Sequence, residues 1–267
     1  MRKAITTAAI VAMSLVGLRA DVTLVQTMTM EGAAAAAMGG ALPRITMRIK
    51  GQKSRADVEM NGQTISSISD VATKQVVLLN SATKTATVMS PASPGTLQMP
   101  KIDVTFKPTG KSQTIEGQQC DEHSVAMTLN MTDVMPQGQM PPEAAAMMAD
   151  VKMVMNGSIW IAKGAPGASE YAAFNKAALE SKLFAALTGM PAGRGGPMEK
   201  LLEAAAAAPG LPYLTEMTIA FEGAGPMVDA MKQMGPMKMI QKISSVSTAS
   251  VADEMFTIPA DYTVEKK

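Results

Sequence analysis

The chain has 267 residues, with 24 Lys and Arg against 23 Asp and Glu, and is 47% hydrophobic but only 3% aromatic. That balance offers no basic patch for nucleic acid, and a single cysteine, Cys120, excludes an internal disulfide. One histidine leaves triads, proton relays and zinc sites little to draw on.

Residues 1–20 read as an export signal. Arg2 and Lys3 form a positive start, and Ala4 to Gly17 an uncharged apolar run broken by Thr6, Thr7 and Ser14. Ala20 is the small residue at the cut, before Asp21. The run is too short for a stable membrane span, and the absence of a nearby cysteine excludes a lipid-anchored signal. Losing Arg2, Lys3 and Arg19 leaves 21 basic against 23 acidic residues, a formal charge of −2. Residues 21–267 contain no further long apolar stretch, so a single periplasmic or secreted domain with no membrane span is expected.

The first half alternates with the period of half-buried strands. Ile45, Met47 and Ile49 alternate with Arg44, Thr46, Arg48 and Lys50, and Ala56, Val58 and Met60 with Arg55, Asp57 and Glu59. Asn61-Gly62 is a strong hairpin signal, because both residues tolerate positive φ. Strands follow at Gln75–Leu79 and Thr85–Met89, then a Pro-rich link over Pro91–Pro100. Val125, Met127, Leu129 and Met131 resume the alternation, as do Val151, Met153 and Met155, with Ile159-Trp160-Ile161 beyond Gly157. Late strands are expected at Thr215–Phe221, Met237–Ser247 and Met255–Ile258.

Tyr171, Phe174, Leu179, Leu183 and Leu187 recur at helical spacing over Ser169–Leu187. A second helix is expected from Pro197 to Pro209, placing the helical segment at about 168–209, and a short third one from Pro141 to Met148. Ala33–Ala37 reads as a loop between strands.

Apparent catalytic motifs fail. Gly110-Lys111-Ser112 resembles the end of a phosphate loop, but Thr105 stands where the earlier glycine belongs, so a turn between strands is expected. Cys120 and His123 are three apart in a strand and point to opposite faces. No catalytic residue and no cofactor is assigned, and an enzyme is not expected.

The chain contains 26 methionines. Thioether side chains suit irregular cores and adaptable binding surfaces alike. Met227, Met231 and Met234 fall at helical spacing, with Met237 and Met239 after them, and thioether sulfur binds Cu(I). The same spacing is the ordinary signature of a core stripe, so Cu(I) binding stands as an alternative.

At Thr109–Cys120 the run TGKSQTIEGQQC resembles a motif of a bacterial exported family of unknown function, itself similar to the LolA-like periplasmic lipoprotein carriers. The Arg48–Met60 hairpin, Ser158–Ile161 and Phe256–Tyr262 extend the resemblance, which leaves Ser169–Gly235 unmatched. It implies an α+β fold: a curved antiparallel sheet, an unclosed barrel, with helices covering its concave face and acyl chains held between. It transfers no functional residue.

The expected function is therefore a non-catalytic envelope protein that binds a lipid or acyl chain between sheet and helices. The expected wall is Met47, Ile49, Val58, Met127, Leu129, Met153 and Met155, with Phe174 and Leu183 from the helix. A structural or interaction module of the envelope without ligand is the other reading.

Overall fold

The computed structural model describes residues 20–32, 43–89, 102–131, 148, 150–181, 183, 203, 208–233 and 235–266. The core of the export signal, the Ala33–Ala37 tract, the Pro-rich link, Leu187, and nearly all of the two helices expected around 141–148 and 197–209 lie outside these residues.

The strands are β1 (Val22–Glu31), β2 (Arg44–Lys50), β3 (Lys53–Met60), β4 (Gln63–Asp70), β5 (Gln75–Asn80) and β6 (Thr85–Met89). Then come β7 (Ile102–Ile115), β8 (Gln118–Asn130), β9 (Lys152–Ala162), β10 (Leu211–Glu222), β11 (Met237–Ser247) and β12 (Thr263–Lys266). Two α-helices are described, α1 (Ala168–Glu180) and α2 (Pro226–Gln233). The twelve strands form one open sheet in the order β12-β6-β5-β4-β3-β2-β1-β11-β10-β9-β8-β7. Every neighbouring pair is antiparallel except β12 with β6.

This corrects the expected α+β class. The described residues form a sheet-dominated fold, 60% of them in strand and 15% in helix, with a mixed sheet, and not an antiparallel sheet roofed by helices. The physical reason is that period-two alternation runs further than the expected strands. Val22, Leu24, Gln26, Met28 and Met30 alternate with threonines, Val25 and Glu31 along β1, which becomes a central strand. Strands β4 and β12 are likewise additions to the expected set. Met255–Ile258, expected as a strand, instead begins inside a 3-10 turn over Asp253–Phe256. Gly110-Lys111-Ser112 is not a turn between two strands; it lies within β7, where the register with β8 shifts between Pro108 and Ser112. At Asn61-Gly62 the hairpin forms as read, both residues at positive φ (52° and 74°).

One core gathers at a single end of the sheet. Val22, Leu24, Ile49, Val76, Cys120, Trp160, Ala162, Leu211 and Ile243 pack with Phe174, Ala178 and Leu183 from α1 and the turn after it, and Tyr171 joins half-buried. Register places Leu24 and Ile49 on one face of β1–β2, and Cys120 and Trp160 on the opposite face of β8–β9. Twist reconciles them. At roughly 20–25° per neighbouring pair, the four steps from β2 to β9 turn the strands by on the order of 90°. Different faces of the two halves thus meet the same helix.

The C-terminal segment seals the other face of the N-terminal half. Val251 and Phe256 are buried against Ile68, Val77, Leu79 and Ala86. Beneath them lies a half-buried ionic cluster around buried Asp57. Arg48 and Arg55 both pair with Asp57, and Arg55 donates to Ser66 Oγ at 3.3 Å and to the Met255 carbonyl at 3.0 Å. Lys50 donates to the Val251 carbonyl at 2.8 Å and pairs with Asp253, and Asp21 accepts from the Val251 N–H at 2.7 Å. Burial alone would raise the Asp57 pKa; hydrogen bonding from Ser66 and Arg55 and the charges of both arginines outweigh it and lower it.

Candidate functional site: the methionine-rich sheet face

Opposed residues on neighbouring strands point to the same side of a sheet, so register decides which side chains share a face. Gln26 opposes Ile45, which opposes Val58. On the other flank of β1, Met30 opposes Met239, which opposes Met217, which opposes Gly157. In the next row Met237, Ile219, Met155, Met127 and Val104 stand in line, and then Phe221, Met153 and Leu129. The strand residues expected as a wall, Met47, Ile49, Val58, Met127, Leu129, Met153 and Met155, therefore lie on one face.

Packing divides them. Ile49 and half-buried Met47 join Phe174 and Leu183 in the core at the α1 end. Met127 and Leu129 form a separate cluster with Val104, Met153 and Met155. Val58, half-buried, belongs to neither group, and its neighbour Ile65 is 54% exposed. Met28, Met30 and Met217 share the face and are additions to the expected wall. The signal was available: in TMTME and TEMT, methionine alternates with threonine or glutamate at period two.

Gly157 makes the close packing of this face possible. A Cβ there would lie 1.8 Å from the Glu216 carbonyl oxygen and 2.8 Å from Met217 Sδ. Met217 thus fills the space over the glycine, and β9 runs unbroken from Met153 to Ile161.

The alternative metal ligands are not brought together among the described side chains. Met231 packs with Met148, Val151 and Val228, whereas Met239 packs against Val125, Ile159 and Met217. Met237 stands opposite Ile219. The side chains of Met227 and Met234 lie outside the described residues. No group of three His, Cys, Asp or Glu among the described residues could hold a metal ion.

Cys120 and His123 take opposite faces of β8. The Cys120 thiol is fully buried and donates to the Gln118 carbonyl at 3.4 Å, and burial raises its pKa. The His123 ring stacks on Phe106, centroids 4.9 Å apart and planes 11° from parallel. Neither side chain presents a reactive group to the other. Among the described residues, no helix is long and apolar enough to cross a membrane.

No family model matches the chain, and no curated protein matches it. A solved structure titled as an uncharacterized conserved protein from Thermus thermophilus is similar at 8% identity, with a TM-score of 0.40. The match covers 94% of this chain and 92% of that one.

Proposed function

We propose that this protein is an exported, non-catalytic protein of the cell envelope that binds a lipid or acyl chain on the methionine-rich face of its sheet. The observation that carries the reading is the aligned set Met30, Met239 and Met217 beside Met237, Met155 and Met127, on one face with Met153 and Leu129. Unbranched thioether chains adapt to a flexible apolar partner and present no strong hydrogen-bond donor. The signal-like first 20 residues support export, and the TGKSQTIEGQQC run supports kinship with the LolA-like carriers. A closed core without ligand is the second reading, favoured by the near-complete burial of Met127, Leu129 and Met217.

A fluorescent fatty-acid probe separates the two. Micromolar affinity, worth about −8 kcal/mol, is expected for the wild type. Met153→Glu places a charge among Met127, Leu129 and Met155 and should abolish binding with the circular dichroism spectrum unchanged. A folded wild type that leaves the probe free supports the closed core instead.

A further inference from the structure

Strand β7 ends the sheet order and, among the described residues, pairs with β8 alone. Thr105 and Lys107 are exposed at this edge, and Val104 and Phe106 are half-buried. Two rows of the methionine-rich face run out to it: the row that begins at Met237 ends in Val104, and the row of Met239 ends in Phe106. Proline has no N–H, so Pro108, opposite His123, stands in the ladder with its nitrogen toward the open edge. Backbone direction alternates along an antiparallel strand, so Phe106 and Val104 also turn their N–H and C=O groups outward. Lys107 has the other phase and keeps its carbonyl toward β8, where Ser124 Oγ donates to it at 3.3 Å. Beyond Pro108 the ladder is interrupted, because the register with β8 shifts before Ser112. The regular part of the edge is therefore residues 102–107.

We propose that this edge pairs with the same edge of a second copy, antiparallel and centred on Thr105, giving a twofold dimer with one continuous sheet. In that register Asp103 stands opposite Lys107 of the second copy, and Lys107 opposite its Asp103. Val104 stands opposite Phe106 of the second copy, which carries the apolar rows of both copies across the junction. Opposite charges and aromatic–β-branched pairs are the cross-strand combinations that stabilise a sheet. The outward backbone groups of Val104 then meet those of Phe106, as a register centred on a residue requires. Centring on Val104 or on Phe106 instead would set Asp103 opposite a threonine. The pairing consumes β7 in both copies, so the assembly closes at two. At the other end of the sheet β12 has four residues, a short edge that discourages further growth.

Sedimentation equilibrium of the purified protein tests the pairing. The wild type should dimerise at or below about 100 µM, in keeping with a small interface. Asp103→Lys and Lys107→Asp each set like charges opposite each other twice, and each should weaken the dimer by about tenfold. Mixed together, the two variants should recover wild-type affinity as a heterodimer, because each supplies the charges the other lacks. The double variant Asp103→Lys/Lys107→Asp should recover it alone. Such recovery distinguishes cross-strand pairing from a folding defect, since two damaged folds do not restore each other. Val104→Pro should abolish the dimer with the circular dichroism spectrum unchanged, because it removes an outward N–H and none from the β7–β8 ladder. If the single reversals fail to fold, the double variant and Val104→Pro decide the matter. A wild type that stays monomeric at that concentration overturns the proposal, even if it captures a foreign extended peptide. A dimer that ignores the reversals, or that neither the mixture nor the double variant restores, overturns it too.

Discussion

Asp57→Asn should destabilise the protein by about 2–3 kcal/mol, because it removes the anion shared by two half-buried guanidiniums. Asp57 is 7% exposed and neutralises both Arg48 and Arg55 under the C-terminal segment. The variant leaves those cations facing each other across β2 and β3, where Arg48 directly opposes Arg55. It should also loosen the hold of Arg55 on the Met255 carbonyl. The pH dependence has a definite sign. The Asp57 pKa is lowered on folding, so its stabilisation is full above the ordinary carboxylate value of about 3.9 and is lost as pH falls through the lower folded value. Asp121, Glu122 and Asp253 are also lowered by their partners, so the variant keeps part of the acid sensitivity. Urea denaturation at several pH values should show the two stability curves well apart at neutral pH and converging under acid. Parallel curves would contradict the role assigned to Asp57.

Gly157→Ala should cost about 3 kcal/mol or more, at or beyond the usual range for overpacking, because the clash is with backbone. The added methyl would lie 1.8 Å from the Glu216 carbonyl oxygen, so β9 and β10 must separate where Gly157 opposes Met217. Gly164 is the control, since a Cβ there meets nothing within 4 Å. Gly164→Ala should retain the wild-type urea midpoint, whereas Gly157→Ala should lose it or fail to accumulate as soluble protein. Equal midpoints would show that the two strands are less closely packed than described.

Most strands are legible in the residues because one face of each meets a core and the other does not. Arg44–Lys50 and Met237–Ser247 match their expected bounds for that reason. Legibility fails where the inward residue is polar or the apolar spacing is three. Gln26 interrupts the apolar phase of β1, and in β4 exposed Ile65 and buried Ile68 sit on opposite faces, so no single apolar face runs along the strand. The expected fold class fails because it weighs three helices against too few strands. The expected pocket residues share a face, as alternation requires, but alternation does not say which cluster a side chain joins. Ile49 and Met127 have the same phase and pack in separate clusters, a difference set by α1 and by strand order. The Arg48–Asp57–Arg55 cluster is also hidden in the sequence. Charged residues facing away from the core read as a solvated face, and only the C-terminal segment, some 200 residues on, buries them.

The central claim, that this sheet face holds an apolar ligand, is tested most directly by native mass spectrometry of protein purified from its own cell envelope. The account predicts an added mass of one lipid or fatty acyl molecule, removed by organic extraction and restored by the extracted lipid. A bare polypeptide mass, from protein that also leaves an acyl probe free at micromolar concentration, would contradict it.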